Sequence, residues 1–328
     1  MSLATGIGSW PGTDLRRAVR TVRDLLSDQD LPYLPELPAR GPGADLVGRT
    51  AGLLVDMPVD LQPAGWRLVD RPGRDAQRTA TMLSGDLDEL AEAFDGYQGW
   101  LKVQVAGPWT MASSVWLPRG ERAVVDVGAR RYLASSLAEG VRQHLGAVER
   151  LVPGASLVLQ LDEPGLPSVL AGGLPTASGL GQLRAVEPEP AAAALREVVE
   201  AARDWPVVVH CCAQEVPWAV LRTVGATAVS VDTTLLGPRG WESVAASVEA
   251  GLGIWAGCVP ATGTLPAVPP LVRDLVARWR DVGLPLPGLV DVTLTPACGL
   301  AGASPEQAGQ VHRLLVAAAR ALTEAALE

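Results

Sequence analysis

Val207-Val208-Val209-His210-Cys211-Cys212 runs three β-branched residues straight into the chain's one close grouping of histidine and cysteine. β-Branched side chains suit a pleated strand, and successive side chains along a strand point to opposite faces. His210 and Cys212 therefore share a face, and Cys211 points away from it. A neutral imidazole beside a thiolate at a strand end supplies half of a tetrahedral zinc site. The other half must come from elsewhere in the chain. Asp232, which ends the β-like run 228–231, and Cys298, in Thr295-Pro296-Ala297-Cys298-Gly299, are the candidates.

Working outward, strand-like runs alternate with helical ones. Residues 4–9 read as a short strand ending in the glycine-rich turn Gly6-Ile7-Gly8-Ser9-Trp10-Pro11-Gly12. A helix follows, capped by Thr13 or Asp14, with Leu15, Ala18, Val19, Val22, Leu25 and Leu26 at helical spacing. Turn amides ahead of a helix N-terminus can hold a carboxylate or phosphate. The G-x-G-x-x-G spacing of a dinucleotide site is absent. Residues 32–37 are a second extended candidate, in competition with the apolar stretch 53–59. Residues 74–95 are helical, and the strand at 101–106 stops at Gly107-Pro108. Residues 120–151 form a long helical region.

Leu157-Val158-Leu159-Gln160-Leu161 is a buried-type strand that ends in Asp162-Glu163-Pro164. Those two carboxylates serve either a site or a helix cap. The uncharged loop 165–181 has the length of a substrate cover. Helices at 189–203, 214–223, 239–250 and 269–281 alternate with strands at 207–212, 228–232, 253–258 and 290–294. Ser304-Pro305-Glu306-Gln307 opens a last helix, to residue 326, as a capping box with proline at the first helical position. About eight strands, each followed by a helix and with no linker between units, predict a (β/α)8 barrel, a TIM barrel forming one domain over residues 1–328.

The bulk composition fits a soluble protein with a large core. The formal net charge is −9, and Lys102 is the only lysine. With no basic run, nucleic acid and anionic membrane are excluded as expected partners. The two long uncharged stretches, 164–183 and 250–272, are broken by prolines and glycines, so neither predicts a membrane helix. Charges arrive by Asp14 and Arg16 without an apolar signal core. Four cysteines in such a chain point to the reducing cytoplasm, where they serve metal binding or catalysis, or pack as small hydrophobes. Cys258 is open to either role. His144 and His312 sit inside helical patterns, as surface or packing residues.

In a (β/α)8 barrel the active site lies at the C-terminal ends of the strands. His210, Cys212, Asp232 and Cys298 all fall there. Two thiolates and an imidazole favour zinc over magnesium or calcium. Two thiolates and a carboxylate place a formal −3 around a +2 ion, which makes zinc a poor generator of hydroxide. Such a site is better suited to holding an incoming thiol as thiolate. A free thiol, with pKa about 8.5, is only a few per cent ionised at neutral pH, and coordination deprotonates it outright. Alkyl transfer to sulfur follows from such a site.

Ile7-Gly8-Ser9-Trp10-Pro11, Gly107-Pro108, Leu159-Gln160-Leu161-Asp162-Glu163-Pro164, His210-Cys211-Cys212 and Pro296-Ala297-Cys298-Gly299-Leu300 occur in this order. Together they resemble the catalytic C-terminal barrel of cobalamin-independent methionine synthase, in a short single-barrel form, from about residue 5 to 300. The resemblance implies a zinc-dependent methyltransferase of methionine biosynthesis, with homocysteine as acceptor. It matches His210, Cys212 and Cys298 to zinc ligands, and Asp232 stands where the family has a glutamate ligand. It also implies that the Ile7-Gly8-Ser9 backbone holds the amino acid's carboxylate, and that Asp162, with Glu36, binds its ammonium. Larger members use a second, N-terminal barrel to bind a polyglutamylated folate donor, and the resemblance does not extend to it. Ala301-Gly302-Ala303 replaces the basic residues that often follow the last motif. The expected donor is therefore 5-methyltetrahydrofolate or a methyl-corrinoid protein. Two other readings compete: a metal-free lyase of the uroporphyrinogen decarboxylase type, and a thiol- or corrinoid-binding protein without turnover.

Overall fold

A computed structural model describes residues 1–26 and 29–327. Seven parallel strands form one curled sheet: β1 (Leu3–Ala4), β4 (Gly99–Ala106), β5 (Ala155–Asp162), β6 (Val207–Cys211), β7 (Ala228–Asp232), β8 (Gly253–Val259) and β9 (Thr293–Pro296). Their order is β1-β9-β8-β7-β6-β5-β4. Between β1 and β4 in sequence lies an antiparallel hairpin, β2 (Val59–Gln62) with β3 (Gly65–Leu68), outside the main sheet. Helices connect the strands, the longest being Arg74–Ala93, Val127–Leu151 and Pro305–Leu327.

About eight strands were expected around the barrel, and among the described residues the main sheet has seven. The segment 31–36 runs between the two edge strands and bonds to both sides. Leu31 N–H donates to Ala4 O (3.0 Å), Leu34 N–H to Lys102 O (3.0 Å), Lys102 N–H to Pro32 O (2.8 Å) and Glu36 N–H to Gly8 O (3.0 Å). Pro32 and Pro35 have no N–H to offer, so the ladder breaks into the isolated bridges Tyr33↔Lys102 and Ser9↔Glu36. The rival stretch 53–59 contributes only its last residue to a strand, in the separate hairpin.

Alternation sorts each strand into two faces. Outward residues such as Leu159, Leu161, Val207, Val209, Val229 and Val231 pack against the helices in the main hydrophobic cluster. Cys258 is buried in the same cluster, and Cys211 is fully buried beside it on the outward parity of β6. Burial pushes both thiols up, to about 11 for Cys211 and about 12 for Cys258, so both are unreactive packing residues. Inward residues change character along the strands. A small apolar plug of Leu31, Val158, Val208, Ala228 and Trp255 fills one end. Two residues further along β5, β6 and β7 come Gln160, His210 and Ser230, and two further still Asp162, Cys212 and Asp232. The period of two thus carries the inner face from apolar to polar to ionisable as it nears the C-terminal strand ends.

Local signals set the helix ends. Asp14, rather than Thr13, caps the first helix by accepting from Arg17 N–H at 3.0 Å, and Ser304 Oγ accepts from Gln307 N–H at 3.1 Å. His144 and His312 are buried in their helices. His312 Nε2 lies 3.2 Å from the Tyr33 hydroxyl, a packing role. Among the described residues, no helix is long and apolar enough to cross a membrane.

Candidate active site

A cavity of about 330 Å³ opens at the C-terminal ends of the strands. Ile7, Gly8, Ser9, Glu36, Asp162, His210, Cys212 and Cys298 line it. Of the residues predicted for a site, Asp232 alone is not in that lining. Larger hollows, up to about 600 Å³, lie between the outer helices and gather none of these groups.

The Cys212 and Cys298 sulfurs are 3.7 Å apart and joined by one hydrogen bond, although the residues are 86 positions apart in sequence. That is far from a disulfide. Two thiolates on a tetrahedral zinc, each about 2.3 Å from the ion, would sit about 3.8 Å apart. Sharing a proton draws Cys298 down to about 6 and pushes Cys212 up, so the pair carries one negative charge at neutral pH. Alkylation of the metal-free protein with iodoacetamide should show this. Because the pKa is lowered, the thiolate persists above about pH 6 and the rate should fall as pH drops through that value. In the Cys212→Ala variant, which removes the partner's hydrogen bond, the fall should move to the ordinary thiol range, about 8.5. A wild-type profile centred there would contradict the pairing.

His210 is 3% exposed. Burial, with the charge of Lys102 adding to it, lowers it to about 3 and keeps the ring neutral. Its Nδ1 lies 3.0 Å from Ser230 Oγ. A proton on Nδ1 given to Ser230 leaves the Nε2 lone pair for an ion, the usual arrangement for a ligating histidine. Asp232 follows Ser230 by two residues and so shares its face. Its Oδ1 accepts from Thr234 N–H (2.9 Å) and Thr234 Oγ1 (2.5 Å), capping the turn Thr233–Leu235. Among the described residues no three His, Cys, Asp or Glu side chains, His210, Cys212 and Cys298 included, stand close enough to hold an ion. By donor type alone, a neutral imidazole and two thiols are ligands of the kind zinc prefers.

Asp162 and Glu163, adjacent in sequence, divide their tasks by parity. Asp162 faces the cavity. Burial and then the charge of Glu36 push its carboxyl well above the usual range, against Lys102 and a 2.7 Å bond from Gln160 Nε2. Glu163 faces away. Its Oε1 accepts from Trp109 N–H (2.9 Å), and its Oε2 from Thr110 N–H (2.8 Å) and Thr110 Oγ1 (2.9 Å). It therefore pins the start of the helix Pro108–Ser114 to the end of β5, and burial pushes it up to about 7 despite the three donors. Gly107 has to be glycine there, since a Cβ would lie 2.3 Å from Glu163 Oε1. Glu36 is 3% exposed, takes a 3.2 Å bond from Gln104 Nε2 and lies 3.8 Å from Arg49 Nε. Burial raises its pKa as well.

The glycine-rich turn is held from below. Ile7 O accepts from Lys102 Nζ (2.9 Å) and Gln160 Nε2 (2.7 Å). In a planar trans peptide the C=O and N–H point in opposite directions, so Gly8 N–H is directed away from Lys102. Gly8 has φ 156°, and a Cβ there would meet the Gln104 side chain at 2.8 Å. Across the cavity, a Cβ on Gly299 would lie 2.2 Å from Ser9 Oγ. Sequence reasoning passed over Lys102, Gln104, Gln160 and Ser230. The signal for Lys102 was available, as a lone lysine inside an apolar strand.

The family model for "Cobalamin-independent synthase, Catalytic domain" matches residues 1–321. No curated protein matches the chain. Among solved structures, it is similar to a B12-independent methionine synthase from Shewanella sp. W3-18-1 in complex with selenomethionine, with TM-score 0.52, 15% identity, and coverage of 74% of this chain and 67% of that one. Weaker likenesses are to a GH5_18 protein from Streptomyces cattleya in complex with GlcNAc (TM-score 0.46, 17% identity, 99% of this chain and 79% of that one) and to a methylaspartate ammonia lyase from Clostridium tetanomorphum (TM-score 0.43, 10% identity, 99% and 60%). The first likeness agrees with the parallel α/β fold, and the match over residues 1–321 shows that this chain belongs to the cobalamin-independent synthase catalytic-domain family.

Proposed function

We propose that the chain is a single catalytic domain over residues 1–328, with residues 31–36 as its eighth stave. In this reading it is a cytoplasmic, zinc-dependent methyltransferase that carries a methyl group to the thiol of homocysteine and forms methionine. Family membership supports methionine synthase-type methyl transfer. The observation that carries the finer reading is the Cys212–Cys298 pair, 3.7 Å apart, in a cavity that also holds Asp162 and Glu36.

In this reading His210, Cys212 and Cys298 hold zinc, and Asp232 completes the set by giving up its bonds to Thr234. Bound zinc supplies the charge that keeps the acceptor thiol ionised at neutral pH. The chain's own residues do the rest. Asp162 and Glu36 take the ammonium, and the amides of Gly8 and Ser9, beyond the anchored Ile7 carbonyl, take the carboxylate. Fixing both ends of a short amino acid leaves its thiol one place to go, and such positioning lowers the barrier to transfer. A cavity of about 330 Å³ is at the small end for ligand sites, which suits an amino acid. The donor is taken to be 5-methyltetrahydrofolate, as the family implies, and no observation favours a corrinoid protein.

A decarboxylase of polycarboxylates would need arginines around its substrate, whereas this lining has none among the described residues and is acidic. The test is methyl transfer by zinc-loaded protein with homocysteine and either 5-methyltetrahydrofolate or methylcobalamin. Methionine is the expected product. Homocysteine binding without methionine from either donor would replace the enzyme reading with a thiol-binding one.

A further inference from the structure

Lys102 is the chain's single lysine and is fully buried. Its ammonium donates to Ile7 O (2.9 Å) and Gln104 Oε1 (3.2 Å), and lies 5.0 Å from the centre of the Tyr33 ring. None of these partners carries a charge, and no carboxylate among the described residues forms an ion pair with it. A buried ammonium without a direct counterion is costly, and an apolar side chain of similar length would usually be the more stable choice. What compensates lies further off. Glu36 and Asp162, both buried, act on Lys102 through their charges, and it acts on theirs. Lys102 offsets part of the negative charge that Glu36 and Asp162 bring to this corner, as Arg49, 3.8 Å from Glu36, does from the other side. The same lysine holds the Ile7 peptide whose far side, Gly8 N–H, faces away from it, so its positive charge also lies behind the place proposed for the substrate carboxylate.

We propose that Lys102 is a specificity-determining residue that matches the charge of the amino-acid subsite to a zwitterion, one ammonium and one carboxylate, so that thiols or thioethers lacking either group are rejected. The proposal rests on the amino-acid reading of the cavity given above. It assigns to the lysine a role in selecting the ligand, with no step in the transfer itself.

The experiment is calorimetric titration of the zinc-loaded protein at about pH 6, where Lys102, lowered to about 7 by burial, keeps its proton and the probes' acids and amines keep their usual charges. The probes are methionine, 4-(methylthio)butanoate, which lacks the ammonium, and 3-(methylthio)propylamine, which lacks the carboxylate. Wild type should prefer methionine to both. In Lys102→Met and Lys102→Gln, affinity should shift from the carboxylate probe toward the amine probe. One charge removed a few ångströms from both ends of the ligand should change the ratio on the order of tenfold or more. Both variants are neutral, and only glutamine can still bond to Ile7 O, so equal shifts would trace the effect to charge. A folded variant of either kind with an unchanged ratio overturns the role of Lys102 while leaving the cavity's function standing. A wild type that binds none of the three overturns the amino-acid reading and the lysine's role together.

Discussion

The Cys298→Ser variant is expected to lose its zinc and its methyl transfer together, with bound metal falling from about one ion per chain to a small fraction and turnover falling at least about a thousandfold. The reasoning begins with the pair rather than with either cysteine. Cys212 and Cys298 come from opposite parts of the sheet, after β6 and after β9, and their sulfurs lie 3.7 Å apart. A serine hydroxyl at 298 fits the space but does not ionise near neutral pH, so the pair's negative charge disappears. Zinc then faces a neutral imidazole, one thiol and the Asp232 carboxylate, too few soft anionic donors to hold it firmly. The acceptor thiol would return to its free pKa, about 8.5, and stand only a few per cent ionised. Metal analysis of the purified variant and methionine formation are the two readouts. Asp162→Asn is the contrast, since it should keep zinc and raise the KM for homocysteine. Full zinc content in Cys298→Ser would remove that residue from the ligand set. Retained activity at full zinc would remove the mechanism.

The second large effect concerns stability. Glu163→Ala should lower unfolding free energy by about 3–5 kcal/mol, measured as a shift of the urea midpoint at constant slope. Three buried donors, Trp109 N–H, Thr110 N–H and Thr110 Oγ1, end on this one carboxylate, and alanine removes the acceptor of all three at a fully buried position. Glu163→Gln should cost less, about 1–3 kcal/mol, because its amide oxygen still accepts while its NH2 confronts a donor. A Glu163→Ala protein within 1 kcal/mol of wild type, roughly the scatter of a surface change, would show that Glu163 is no strut. The contrast with Asp162 is instructive: adjacent carboxylates, one expected to change stability and the other binding.

That division shows how far the chain could be read unaided. Periodicity placed β5, β6, β7 and β8 and most helices, because a strand buried on one face against helices must alternate or run apolar. Such patterns are local. The same alternation put His210 with Cys212 and turned Cys211 away. The segment at 31–36 was legible as extended and not as a regular strand, since its prolines remove the donors on which a ladder depends. The hairpin at 59–68 was not legible, because its pairing is a contact between stretches with no strong pattern of their own.

The sequence by itself determined which residues could do chemistry: the only grouping of soft ligands, the carboxylates at strand ends, and the glycines that let backbone come close. Tertiary structure decided which of them meet. The 86-residue span between two sulfurs, the burial of a lone lysine under the Ile7 carbonyl, and the turning of Glu163 onto a helix while Asp162 enters the cavity are all set by the curl and stagger of the sheet. No local rule encodes these, because a side chain's neighbours across a sheet depend on how distant strands are aligned. Cost and charge follow from those neighbours: the same carboxylic acid becomes a strut or a binding group according to the donors and charges around it.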